Sequence, residues 1–274
     1  MGKNNLLNSR NSAKKNPHTG RRQRMFDKHF EDPEMTALQP HEILEMLLYH
    51  GTPYKDTNIL AHDLIDAFGS LGDVLVASPH ELRKVAGLTQ RAASLISMIM
   101  PLARRAEIEY NHKETVYLLR LSDAVAYLRP YFSCRKDEMV LLVSLDINER
   151  VIAGDWLSRG LPGFAVLDTR DAVEVAFRRR ASKAILAHNH PAGSNKPSSS
   201  DDMLTKNMFS ALKGVGIELL DHIILTATEE FSYRQMGRLD ELANTVEEVL
   251  ESRKISERRT YRTPEGSLIN NDDY

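Results

Sequence analysis

Residues 184–202 read AILAHNHPAGSNKPSSSDD. The first part is short, aliphatic and ends at a proline, which suits a buried strand better than a helix. His188 and His190 stand two apart at its end, and the two-residue period of a strand sets both imidazoles on one face. Pro191 and Gly193 then turn the chain, and Pro197-Ser198 opens a helix whose first turn carries Asp201 and Asp202. Such a turn can fold Asp201 back onto the two imidazoles. Two neutral nitrogens and one carboxylate oxygen make three zinc ligands and leave a fourth position for water, the layout of a hydrolytic site. Ser198-x-x-Asp201 also reads, on its own, as a capping box with Asp in place of Glu.

Outward from this stretch, strands alternate with helices. MVLLVSL (139–145) is a continuous aliphatic run of strand length, and VIAGDWLS (151–158) follows after a turn over 146–149. Residues 169–180 carry acid in the first turn and base in the last, as the helix dipole favours, and Thr169-Arg170-Asp171 reads as the helix start. Residues 199–213 predict another helix, and IELLDHIILTA (217–227) another buried strand. The expected fold class is α/β, a mixed sheet flanked by helices, over about residues 117–239.

Before it, residues 36–112 read as a small helical domain. HEILEMLLY and TNILAHDLIDAF return their apolar residues at helical spacing, Gly69 stops the second helix, Ser78-Pro79 starts another and Gly87 breaks the pattern. Residues 1–24 hold seven basic side chains (Lys3, Arg10, Lys14, Lys15, Arg21, Arg22, Arg24) and no acid. Their polar composition predicts a flexible basic arm, extending to about residue 35, that can meet a polyanion by counterion release. Residues 240–274 predict a mixed-charge helix around Leu242, Val246, Val249 and Leu250, then a polar tail.

Composition excludes several classes. At 274 residues with 42% hydrophobic and 27% charged, the chain is neither collagenous nor wholly disordered. A net charge of -2 provides no global attraction to nucleic acid or membrane. One cysteine, Cys134, permits no internal disulfide and no cysteine-based zinc site, so a reducing cytoplasm is the expected compartment. No apolar run is long enough to span a membrane, and the basic N-terminus lacks the apolar segment of a secretory signal.

The run HNHPAG…PSSSDD, with LLDHIIL downstream, resembles the JAMM motif of JAB/MPN-type metalloproteases and, more narrowly, the bacterial RadC-like proteins. HEILEMLL, DTNILAHDLIDAFGSL and ELRKVAGL are similar to that family's N-terminal domain. The resemblance covers roughly residues 40–239 and implies a JAB/MPN-like, cytidine-deaminase-like fold. It implies Zn²⁺ held by His188, His190 and Asp201, with Ser198 stabilising a tetrahedral intermediate and an upstream Glu as general base. The family phrase VIxxExLSxG reads VIAGDWLSRG here, which sets Asp155 in the Glu position. Asp keeps the carboxylate but is shorter by one C–C bond, about 1.5 Å, and a general base must lie within about 2.6–3.2 Å of its proton or act through one water.

The expected function is therefore zinc-dependent hydrolysis of a peptide or isopeptide bond, with protein or peptide substrates. The rival is a non-catalytic DNA- or protein-binding scaffold associated with DNA repair. Asp221-His222, inside an apolar run, reads as a buried hydrogen-bonded support for the site. Val85–Thr89 resembles a helix-hairpin-helix turn that meets DNA phosphate through backbone amides, with Thr89 where a second glycine is expected.

Overall fold

The computed structural model describes residues 20–52, 57–111, 115–159, 168–191 and 193–248. The chain divides into two compact units, 1–102 and 103–274. The division falls inside a long helix, earlier than the expected 112.

In the first unit, α1 (Arg21–Glu31) precedes α2 (Pro40–Gly51), α3 (Asn58–Phe68), α4 (Leu71–Val76), α5 (Pro79–Leu82) and α6 (Gln90–Asn111), which runs on past the division. The first of these corrects the expected flexible arm over 20–35. Met25 is buried against Leu38, Met46 and Tyr49. Arg21 donates to both carboxylate oxygens of the buried Glu45 at 2.9 and 2.8 Å, and the Arg22 guanidinium lies 4.7 Å from the Tyr49 ring centroid. A few apolar side chains and one buried acid thus suffice to hold a segment whose average composition reads as disordered. Lys3, Arg10, Lys14 and Lys15 lie outside the described residues. Gly69 and Gly87 take φ of 95° and 85°, as a helix stop and a sharp turn require. Thr89 accepts the Ala92 N–H at 3.1 Å and donates to Gly51 O at 3.1 Å. It caps the start of α6, which accounts for a threonine where a hairpin would carry glycine.

The second unit holds α7 (Leu121–Phe132), β1 (Met139–Leu145), β2 (Val151–Arg159), α8 (Thr169–Arg178), β3 (Lys183–Asn189), α9 (Ser199–Gly214), β4 (Glu218–Leu225) and β5 (Glu230–Ser232). A further helix covers 238–248; Val249, Leu250 and the expected tail lie outside the described residues. The five strands form one mixed sheet in the order β2-β1-β3-β4-β5. Only β3 and β4 run parallel, joined by α9. Both faces are covered. Leu141, Val143, Ile185 and Ile223 pack with α7, while Val140, Leu142, Leu186 and Ile224 pack with α8 and α9. A sheet buried on both faces needs apolar residues at every position, which is why these strands show runs and not alternation. α7, absent from the sequence reading, carries Pro130 within its last turn.

Candidate metal centre

β3 is the central strand, and the site sits at its C-terminal end. Antiparallel pairing sets Val140 opposite His188. Val140 and Leu186 face α8 and α9, so His188, two beyond Leu186, faces them too. After the turn at Gly193 (φ 91°), Ser198 caps α9. Its hydroxyl accepts the Asp201 N–H at 3.2 Å, while Asp201 Oδ2 takes the Ser198 N–H at 2.6 Å and the Ser198 hydroxyl at 2.7 Å. The two readings of Ser198-x-x-Asp201 are thus one object: the capping box is what aims the Asp201 carboxylate at the histidines.

His188, His190 and Asp201 each offer a ligand atom, all within 4.8 Å of one another. The His188 and His190 Nε2 atoms are 2.9 Å apart. Asp201 Oδ1 stands 3.2 Å from His188 Nε2, and Oδ2 stands 3.5 Å from His190 Nε2. Asp201 is wholly buried, and its Oδ1 accepts no hydrogen bond among the described residues. An orphaned anionic oxygen in a dry site is costly unless a cation meets it. The donor set, two imidazoles and a carboxylate, suits zinc. The residues present fit a metal.

Electrostatics agree. Burial disfavours the charged form of His188 and, despite Asp201, leaves its pKa below the ordinary value. The hydrogen bond to Asp201 raises that of His190, against a smaller effect of burial. Burial pushes the Asp201 carboxyl up, but His188, His190 and the Ser198 N–H outweigh it and hold it far below the usual carboxylate range.

His222 lies directly behind. Its Nε2 is 2.8 Å from His188 Nδ1, its Nδ1 is 2.6 Å from Thr205 Oγ1, and the Tyr233 ring stacks on it at 4.8 Å. Full burial holds its pKa well below the ordinary value. The neighbouring Asp221 accepts from the Ser232 hydroxyl at 2.5 Å and from the N–H groups of His222 and Arg234 at 2.7 and 2.9 Å. These bonds anchor β4 against the segment after it.

Asp155 stands apart from this cluster. In β2 it pairs with Leu142, and Leu142 pairs with Leu186. That sets Asp155 two strands across and two residues along from His188, about 10 Å by about 7 Å. Its carboxylate is gripped by Arg179, at 2.6 and 2.9 Å. The alignment of a strand phrase supplies the residue type but not the register, and the register carries Asp155 away from His188.

Another carboxylate, missed in the sequence, does act on the histidines. Glu138 is half-buried, and its negative charge acts on both His188 and His190. It precedes β1 by one residue, and continuing the β1–β3 register by two positions sets it opposite His190. Asn189 fixes that backbone: its Oδ1 accepts the Met139 N–H at 2.9 Å and its Nδ2 donates to Asp137 O at 3.0 Å. The available signal was the period of two, which puts Glu138 on the face of Val140.

A mixed sheet covered by helices on both faces, with a His-x-His and a capping-box Asp meeting at the end of its central strand, defines a JAB/MPN-type α/β domain. Residues 118–238 match the model of the RadC-like JAB domain. A UPF0758 protein of Polaromonas sp. (strain JS666 / ATCC BAA-500) is 32% identical over 203 residues, covering 74% of this chain and 90% of that one. UPF0758 proteins of Variovorax paradoxus and Aromatoleum aromaticum are 33% and 34% identical, each covering 74% of this chain and 90% of their own length. This chain belongs to the bacterial RadC-like family of JAB/MPN proteins.

Proposed function

We propose that the chain is a zinc-dependent hydrolase that cleaves peptide or isopeptide bonds in protein substrates, in the cytoplasm. The observation that carries this reading is the orphaned Asp201 Oδ1 facing two imidazole nitrogens. His188, His190 and Asp201 hold the ion. When bound, zinc polarises a carbonyl and lowers the pKa of water.

The rest falls to the chain's own groups. We assign proton transfer to Glu138 in place of Asp155: it takes a proton from the attacking water and returns it to the leaving amine. Ser198 Oγ swings its hydrogen from Asp201 Oδ2 to the developing oxyanion. Asn189 holds the Glu138 backbone against the strand that bears the ligands.

Elemental analysis of the purified chain is expected to find about one zinc per chain, the stoichiometry of a three-ligand site. The double variant His188→Ala/His190→Ala is expected to lose the metal together with amide cleavage on a peptide panel. Wild-type zinc content in that variant would overturn the assignment.

A further inference from the structure

His222 and Thr205 touch no metal ligand atom, yet hydrogen counting makes them decisive for His188. Thr205 Oγ1 lies 2.6 Å from Asp201 O. A carbonyl oxygen only accepts, so the single hydroxyl hydrogen lies there. The 2.6 Å contact between Thr205 Oγ1 and His222 Nδ1 must then be made by the hydrogen on Nδ1. His222 is fully buried and its ring nitrogens contact Thr205 and His188, not a carboxylate, so it carries one N–H, which leaves Nε2 bare. The 2.8 Å contact from His222 Nε2 to His188 Nδ1 therefore uses a hydrogen on His188 Nδ1. His188 Nε2 is left with its lone pair exposed toward Asp201 and His190.

We propose that Thr205 and His222 are positioning residues that fix the His188 tautomer with Nε2 bare, through a hydrogen-bond chain that ends on the backbone carbonyl of Asp201. The chain ties two ligands of one site, from β3 and α9, through a third element, β4. It is closed to water: His188, Thr205 and His222 are all fully buried, so no solvent molecule substitutes for a missing acceptor. His190 Nδ1 likewise donates to a carbonyl, Ser194 O, at 2.6 Å. The inference rests on the metal reading above for its consequence, but the tautomer itself does not.

Thr205→Val keeps the shape and removes the acceptor. His222 then gains by moving its hydrogen to Nε2, which drives the His188 hydrogen onto its own Nε2 and blocks the ligand position. The test has two arms. Nitrogen-15 NMR of the metal-free wild-type chain is expected to show His188 and His222 both in the Nδ1–H form; a hydrogen on Nε2 of either ring overturns the proposal. In chelator competition, Thr205→Val is expected to bind zinc about 10–100-fold more weakly, as loss of a group behind a ligand typically does. Thr205→Ser, which keeps the hydroxyl, is expected to restore the affinity. Equal zinc affinity in Thr205→Val and wild type overturns the proposal, and so does weak binding that Thr205→Ser fails to rescue. A wild-type chain that takes up no zinc would end the metal reading alone, since the NMR arm needs no metal. If Thr205→Val does not fold, that arm decides.

Discussion

Two buried carboxylates, one in each unit, have opposite fates. Glu45 is 1% exposed, and both its oxygens are taken: Arg21 reaches each of them, Tyr49 donates at 2.7 Å and Asn58 at 2.9 Å. Asp201 is equally buried, yet one oxygen serves the helix cap and the other accepts no hydrogen bond among the described residues. Burial alone therefore says little about an acid's role. An acid that holds structure is surrounded until its lone pairs are used; an acid suited to a cation keeps one open beside the imidazoles. Asp155 is a third kind, ion-paired to a half-exposed Arg179.

The comparison can be broken at several points. The largest effect is expected at Glu138. Glu138→Gln should lower amide hydrolysis by about 10²–10⁴, the worth of a positioned base, with zinc content unchanged. If Asp155→Asn shows that loss and Glu138→Gln does not, the proton acceptor is Asp155 after all.

Next comes the reserved lone pair. Asp201→Asn removes the anionic ligand, and its zinc affinity should fall by more than the roughly 10–100-fold typical of a supporting residue. Glu45→Gln should leave zinc affinity untouched. A metal effect of equal size from both would erase the distinction between the two acids.

Glu45→Gln should instead cost stability, about 2 kcal/mol at neutral pH for losing hydrogen bonds to a charged group. The sign with pH follows from the carboxyl's environment. Burial raises the Glu45 pKa, but Arg21, Asn58 and Tyr49 outweigh it, and the folded value lies below the ordinary 4.5. A group with a depressed folded pKa stabilises the fold above its unfolded value and loses that contribution as pH falls through the folded one. The gap between wild type and variant should therefore close below about pH 4.5 in urea melts; a gap that widens there would sink this account. The smallest effect is expected at Asp155→Asn, under about 1 kcal/mol, because its pair with Arg179 is partly solvated.

How much was legible follows from the kind of signal each feature leaves. His188, His190, Ser198 and Asp201 were readable because strand period and helix capping are local rules acting over two or three residues. β1 to β4 were readable as strand-length apolar runs, while the three-residue β5 was not. α7 was not, although Ala124, Val125, Leu128 and Phe132 recur at helical spacing along it, because Pro130 and the polar flanks resemble a break. Composition reads residues 20–35 as an arm because it averages over a segment, while Met25 and Arg21 act through partners distant in the chain. Glu138 left only the period of two, a weak signal, because a single acid before a strand is ordinary.

By itself, then, the sequence determined the family, the alternation of strands and helices, and the three residues suited to hold a metal, all of which rest on neighbours in the chain. Only the tertiary structure decided which further acid acts on the two histidines. That choice depends on the register between strands from distant segments, and two residues of strand carry a side chain about 7 Å. It also decided the hydrogen positions on His188, through Thr205 and His222, because a tautomer is set by whatever acceptor the fold brings to the far side of the ring.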